Sequence, residues 1–398
     1  MLSKEHIMQS AAGVFQQALL DRRHLHTHPE LSFQEYQTSA FIKERLERLG
    51  IPFKTVGGTG VVGFIKGKAG AGRIVALRAD MDALPILEKN NTVYTSSTPG
   101  IMHACGHDFH MASLLATAAI LKLLEQELYG GIKLIFQPGE EVLPGGASIM
   151  IKEGVLKDPV PDIVIGQHAA PFLPAGHVGI RPGVFMASMD ALRFTVKGKG
   201  GHGATPHRNT DPVVIASSIV LALQQVVSRR ANPLVPTVLS IGRFIADGAV
   251  NVIPDEVLME GTLRTVDDVW RANAKTEITR IAGGIALSMN AECLTEIQDG
   301  YPVLFNHPEA AGELRASAVD YLGADKVLEP DVWMAAEDFA YYSQEVKSCF
   351  YLTGTSDGTA ATSHSLHSPS FDIKEEVLQD SAGLMAYMAI GQLQNLQQ

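Results

Sequence analysis

Two short stretches of this chain could do chemistry together. The first, His103-Ala104-Cys105-Gly106-His107-Asp108, offers a thiolate and an imidazole in one glycine-containing turn. The second, Gln137-Pro138-Gly139-Glu140-Glu141, offers two adjacent carboxylates after an apolar run. A borderline-soft divalent metal accepts that mixture of sulfur, nitrogen and oxygen donors. Two neighbouring carboxylates can also divide the work. One ligates, and the other stays off the metal and takes a proton from the activated water, whose pKa a cation lowers to about 7.

Such donors need elements that aim them. Residues Lys4 to Leu49 carry helical spacing, broken at His28-Pro29, and glycine-punctuated β runs follow at Gly60–Ile65 and Ile74–Leu77. Further apolar strands are expected at Ile132–Phe136 and Asp162–Ile165, with a buried helix at Met111–Leu124 ahead of them. Alternating strands and helices predict an α/β domain around a mainly parallel sheet flanked by helices. The polar groups Asp80, Asp82, Glu140, Glu141 and His168 all fall at expected strand ends. Ligands collect there in open α/β sheets.

The pattern changes near Met189. Strand, helix, strand, strand, helix and strand patterns follow in turn up to Ile297, which is the βαββαβ order of a ferredoxin-like α+β module. The expected division is therefore a catalytic domain built from 1–188 and 300–398, with a satellite domain, 189–299, inserted between its halves. A last strand is expected at Cys349–Thr353 and a C-terminal helix from Lys374.

Composition removes several classes of function. The chain has 398 residues, 46% of them hydrophobic and 19% charged, an ordinary globular make-up for two domains. A net charge of −11 with no basic block argues against nucleic-acid binding. Three scattered cysteines, Cys105, Cys293 and Cys349, are no disulfide framework and suit a reducing compartment. The N-terminal residues lack a signal pattern, and the Met111–Leu124 run is too short to span a bilayer. A cytoplasmic location without membrane attachment is expected.

The chain has fourteen histidines, so most serve structure. Taken alone, His168 and His367 each read as a hydrogen-bonded loop histidine, as do His24 and His26. His103 and His110 flank the cysteine motif and could orient ligands from behind. The glycine-dense Gly198-Lys199-Gly200-Gly201-His202-Gly203 lets the backbone approach something closely. His202 there, and Asn251 in Ala249-Val250-Asn251-Val252-Ile253-Pro254, could aim at a developing oxyanion.

These motifs, in this order, resemble the M20 metallopeptidase family, in the amidohydrolase branch that includes hippurate hydrolases, N-acyl-amino-acid amidohydrolases and auxin-conjugate hydrolases. The resemblance runs from His28-Pro29-Glu30-Leu31-Ser32-Phe33 through Arg78-Ala79-Asp80-Met81-Asp82-Ala83-Leu84-Pro85, the cysteine and glutamate motifs and Gly201-His202-Gly203-Ala204. It continues to Asn251-Val252-Ile253-Pro254, Glu337-Asp338-Phe339 and His367-Ser368-Pro369. It implies two divalent ions per subunit, zinc or manganese, with cobalt or nickel also accommodated. Cys105 would bridge them, with His107, Glu141, His168 and His367 as the other ligands. Glu140 would be general base and then general acid. His202 would reach a neighbouring subunit's site in a homodimer paired through the satellite domain, and Asn251 and Arg264 would meet the substrate. Asp80-Met81-Asp82 stands where other branches have histidine-x-aspartate, so Asp80 is not carried over as a ligand and His107 replaces that histidine. Ala335-Ala336 before Glu337, and Leu352-Thr353-Gly354-Thr355, also depart from the family pattern and bear on the acyl pocket.

The function expected from all this is hydrolysis of the amide of an N-acyl amino acid, releasing a carboxylic acid and an amino acid. A metallocarboxypeptidase or dipeptidase shares the same chemistry. A silent binding protein on the same scaffold predicts a lost ligand or base, and none is missing. A hydrolase with Cys105 as nucleophile would be indifferent to chelators.

Overall fold

The computed structural model describes residues 3–394. They form two compact units, one made of 3–185, 305–331 and 338–394, the other of 186–304 with 332–337. The segment Val332–Glu337, left by the sequence reading in the catalytic part, groups with the inserted unit.

The larger unit is organised by an eight-stranded mixed sheet. Its order is Phe53–Thr55, Val61–Lys66, Tyr129–Gln137, Gly70–Asp80, Ile163–Pro174, Ser348–Ser356, Val178–Gly179 and Val327–Leu328. The central pairings, Tyr129–Gln137 to Gly70–Asp80 to Ile163–Pro174 to Ser348–Ser356, are all parallel. Those strands are apolar along most of their length, as strands covered on both faces must be. The helices Lys4–Thr27, His107–Leu123 and Val377–Gln394 share one core with the sheet, including Ile7, Leu77, Leu114, Ile132, Ile165, Tyr351 and Met385.

The sequence expectations shift in instructive ways. The break expected at His28-Pro29 is present and divides the first helical region into Lys4–Thr27 and Tyr36–Arg48, the chain between them carrying Pro29 and a left-handed Phe33. The C-terminal helix starts at Val377 rather than Lys374. The strand expected to stop at Ile165 runs on to Pro174, so His168 lies inside it, opposite Leu352 of the neighbouring strand. A histidine fixed in a central strand is held far more firmly than a loop histidine.

The smaller unit is a four-stranded antiparallel sheet ordered Thr237–Ile245, Glu256–Thr265, Ser188–Lys197, Glu292–Asp299. The helices Pro212–Gln225 and Asp268–Ser288 bury Ile215, Ile219, Leu223, Ala274, Ile278 and Ala282 with the sheet residues Phe194, Val196, Val257 and Met259. Inside that unit Arg271 grips the buried Asp190 through two nitrogens, at 2.8 and 2.6 Å.

Candidate metal centre

Cys105 precedes the helix His107–Leu123, and Gly106 between them has φ +85°. A β-carbon at Gly106 would lie 2.8 Å from that of Ala169, so only glycine lets this turn sit against the central strand. The turn sends Cys105 and His107 back toward the strand that carries His168. Cys105 Sγ and His168 Nε2 come to 3.5 Å. Cys105, His107 and His168 form one buried cluster whose donor atoms lie within 4.8 Å of one another. Cys105, Glu141 and His367 form a second, within the same limit. The two clusters share only the sulfur, which is the arrangement a thiolate between two ions requires. Glu140 joins His107 and Glu141 in a third grouping at the same spacing.

Each ring is aimed by its far nitrogen. His107 Nδ1–H donates to the Asp82 carbonyl at 2.8 Å, and His168 Nδ1–H donates to the Ala169 carbonyl at 2.8 Å. That turns Nε2 inward on both rings, and on His107 Nε2 is the nitrogen that would give up its proton to a metal. Among the described residues, the buried His107 Nε2 and Glu141 Oε1 have no hydrogen-bond partner. Orphaned buried polar atoms beside a buried sulfur fit a divalent cation.

The electrostatics agree. Burial, then the carboxylates of Glu141, Glu140 and Asp80, push the Cys105 thiol well above its ordinary value. Burial disfavours a charge on His107, yet Asp80, Asp82 and Glu141 lift it to about 10. Burial and the neighbouring His110 hold His168 neutral. An anionic pocket that needs a thiolate therefore needs added positive charge.

Two aspartates frame the centre from behind. Asp82 accepts from the Glu140 and Glu141 amides, both at 3.0 Å, and from the Ser32 hydroxyl at 2.6 Å. It thereby sets the conformation of the paired glutamates. Gly139 ahead of them has φ +58°, and a β-carbon there would strike the Phe33 ring at 2.3 Å. Its amide is held by Glu35 at 2.8 Å. Asp80 is spent otherwise. One oxygen binds His110 Nδ1 at 2.6 Å and the other Arg78 at 2.6 Å. Both of its oxygens are thus engaged, although Asp80 lies near His107. His110 accepts the Ala169 amide at 2.8 Å through Nε2, so both its nitrogens are occupied and it braces the His168 strand. His103 is fully buried, and burial lowers it to about 4.

The residues expected to meet substrate lie in the smaller unit. His202 is exposed on the short strand Gly201–His202 and pairs with Val252, which places Asn251 beside it. The Ala204 amide donates to His202 Nδ1 at 3.0 Å, leaving Nε2 outward. Arg264 is half-buried and donates to the Met334 carbonyl at 3.1 Å. Sequence reasoning missed the supporting groups Ser32 and Glu35. The motif at 28–33 holds Ser32, which donates to Asp82, and Phe33, whose ring lies against Gly139, while Glu35 falls just outside it.

Comparison with known proteins gives the same family. Residues 76–390 match peptidase family M20/M25/M40. An N-acyl-L-amino acid amidohydrolase of Geobacillus stearothermophilus is 43% identical over 77% of this chain and 83% of its own length. Thermostable carboxypeptidase 2 of Saccharolobus solfataricus is 38% identical over 93% of each chain. The crystal structure of a Bacillus subtilis protein described as a dinuclear metal binding peptidase from the M20 family is 35% identical. It superposes with a TM-score of 0.83 over 96% of this chain and 99% of that one. With this sheet, satellite unit and donor set, the chain belongs to peptidase family M20/M25/M40, in its amidohydrolase branch, and is a dinuclear metal hydrolase.

Proposed function

We propose that the protein hydrolyses N-acyl amino acids, with Cys105, His107, His168, Glu141 and His367 holding two divalent ions and Glu140 moving the proton. The observation that carries this reading is the pair of donor clusters joined at Cys105, with Glu140 beside His107 and Glu141. The likeness to a named N-acyl-L-amino acid amidohydrolase supports the substrate class. When bound, such ions supply Lewis-acid polarisation of an amide carbonyl and acidification of a water molecule. Glu140, held through its amide by Asp82, takes a proton from that water and returns it to the leaving nitrogen. His202 donates through Nε2 to the developing oxyanion. In this reading it does so across a homodimer, from the partner subunit. Asn251 and Arg264 receive the carboxylate or carbonyl of the amino acid, Arg264 being a half-buried cation whose charge burial disfavours.

The carboxypeptidase likeness supports one rival, cleavage of a C-terminal residue from a short peptide by the same centre. A panel of N-acetyl and N-benzoyl amino acids and dipeptides, assayed with zinc, manganese, cobalt and nickel, separates the two. Turnover of N-acyl amino acids at least about tenfold above dipeptides in kcat/KM is the expected result, a margin of about 1.4 kcal/mol in transition-state binding. The reverse ratio assigns the peptidase role.

A further inference from the structure

Arg22, like Arg78, is an arginine wholly removed from solvent in the larger unit, and nothing in the proposed chemistry uses it. It lies in the Lys4–Thr27 helix, and its fork reaches two separate segments. Nε donates to Asp108 at 2.8 Å, and Nη2 donates to Asp372 at 2.7 Å. Nη1 reaches Glu375 at 3.2 Å. Asp108 follows His107 directly, and Asp372 lies five residues after His367 on the irregular segment between Ser356 and Val377. The buried His26 closes the same network, binding Asp108 at 2.8 Å and Glu88 at 3.2 Å.

The two segments differ in how firmly they are held. Cys105 and His107 sit at the start of a buried helix. His367 sits on an irregular loop, with a side chain 53% exposed and a left-handed φ of +64°. Its own amide reaches the Ala104 carbonyl at 2.8 Å, and the Tyr94 hydroxyl holds the second Asp372 oxygen at 2.8 Å. Arg22 is the side chain whose one rigid plane bonds carboxylates on both segments, so it sets their spacing. A lysine ammonium carries the same charge but not the planar fork.

We propose that Arg22 is a positioning residue that holds the His367 segment in register with the Cys105–His107 turn, and so governs the ion shared by Cys105, Glu141 and His367 more than its neighbour. This rests on the ligand assignment proposed above. The mechanism is geometric: groups behind metal ligands typically change metal affinity by about 10- to 100-fold when removed.

The test is cobalt titration of the apoprotein by calorimetry and by the thiolate-to-metal absorption band, on wild type, Arg22→Lys, Asp372→Ala, Asp372→Asn and Cys105→Ser. Arg45→Ala, which breaks the Arg45–Asp21 pair on the same helix, serves as a control for helix packing. Wild type is expected to take up two ions. Arg22→Lys and Asp372→Ala should keep one at wild-type affinity and bind the second at least about tenfold more weakly. Asp372→Asn should recover part of that loss, and Arg45→Ala should bind both normally. Unchanged affinity for both ions in Arg22→Lys and Asp372→Ala, or equal weakening of both, overturns the proposal. Should Arg22→Lys not fold, the two Asp372 variants decide it. Two ions bound normally by Cys105→Ser would instead overturn the ligand assignment, and the positioning role with it.

Discussion

In the larger unit, His107 and His168 are buried, and each ring has its Nδ1–H fixed on a carbonyl. In the smaller unit, His202 stands exposed on a two-residue strand, with an amide on its Nδ1 and Nε2 turned outward. The same residue type is thus prepared for opposite tasks. A ligand in a multi-donor centre must be placed before the ion arrives, because misplacement is paid in metal affinity. A group that meets a changing substrate gains from access and from mobility of its own strand. The first kind of histidine needs an inner frame such as Asp82 and His110, and the second needs glycines around it, as at Gly200, Gly201 and Gly203.

If that contrast is right, damage to the buried set should be the most severe. Removal of the ions by a chelator should abolish turnover, and Cys105→Ser should lose bound metal together with activity, since the sulfur belongs to both clusters. Metal analysis beside an activity assay checks this. Full turnover after exhaustive chelation would sink the metal reading and favour Cys105 as nucleophile. Alkylation distinguishes them independently, because a ligating thiolate should be shielded while the ions are bound and exposed after their removal.

Glu140→Gln should come next. It keeps the amide contact with Asp82 and removes only the base, so metal content should be unchanged while kcat falls by at least about a hundredfold. Glu141→Gln should lose metal as well. Near-parental turnover by Glu140→Gln, with two ions bound, would mean that Glu140 is not the general base.

What the sequence made legible follows the same contrast. The βαββαβ order could be read because each of its elements is amphipathic with a clear period, as in Ser188–Lys197, where buried and open positions alternate. The central sheet was harder to delimit, since strands covered on both faces show no alternation. Apolar spacing therefore ends the His168 strand at Ile165 and, taken alone, leaves that residue on a loop. The donors Cys105, His107 and Glu141 announced themselves by residue type and close spacing. Arg22 and Ser32 did not, because their partners are distant in sequence, Asp372 at one extreme. The grouping of segment 332–337 with the inserted unit is silent in the sequence for a similar reason: its pairing with Met186 and Ala187 is long-range and leaves no local period.

His202→Ala should lower kcat by about 10²- to 10³-fold, as loss of an oxyanion donor does, with both ions still bound. Mixing it with Glu140→Gln sharpens the comparison. In a homodimer completed in trans, some mixed dimers contain one intact site, and activity should return once subunit exchange is verified. No return of activity would place His202 within its own chain's chemistry or outside the reaction.

The smallest effect belongs to Ser32→Ala. Its hydroxyl gives Asp82 a 2.6 Å bond, but Asp82 also receives the Glu140 and Glu141 amides and so keeps most of its support. Burial opposes the Asp82 charge, and His107 and Ser32 together hold it below the usual carboxylate range. One neutral donor to a charged acceptor contributes about 1.5–3 kcal/mol at most, and the serine's loss should be partly made good by the remaining donors. The expected result is metal affinity reduced several-fold, within about one order of magnitude, and kcat nearly unchanged when the ions are saturating. Cobalt titration followed by assay at high metal separates the two. A large fall in kcat at saturating metal would show that Asp82 steers Glu140 directly, and the buried frame would then act on proton transfer as well as on metal placement.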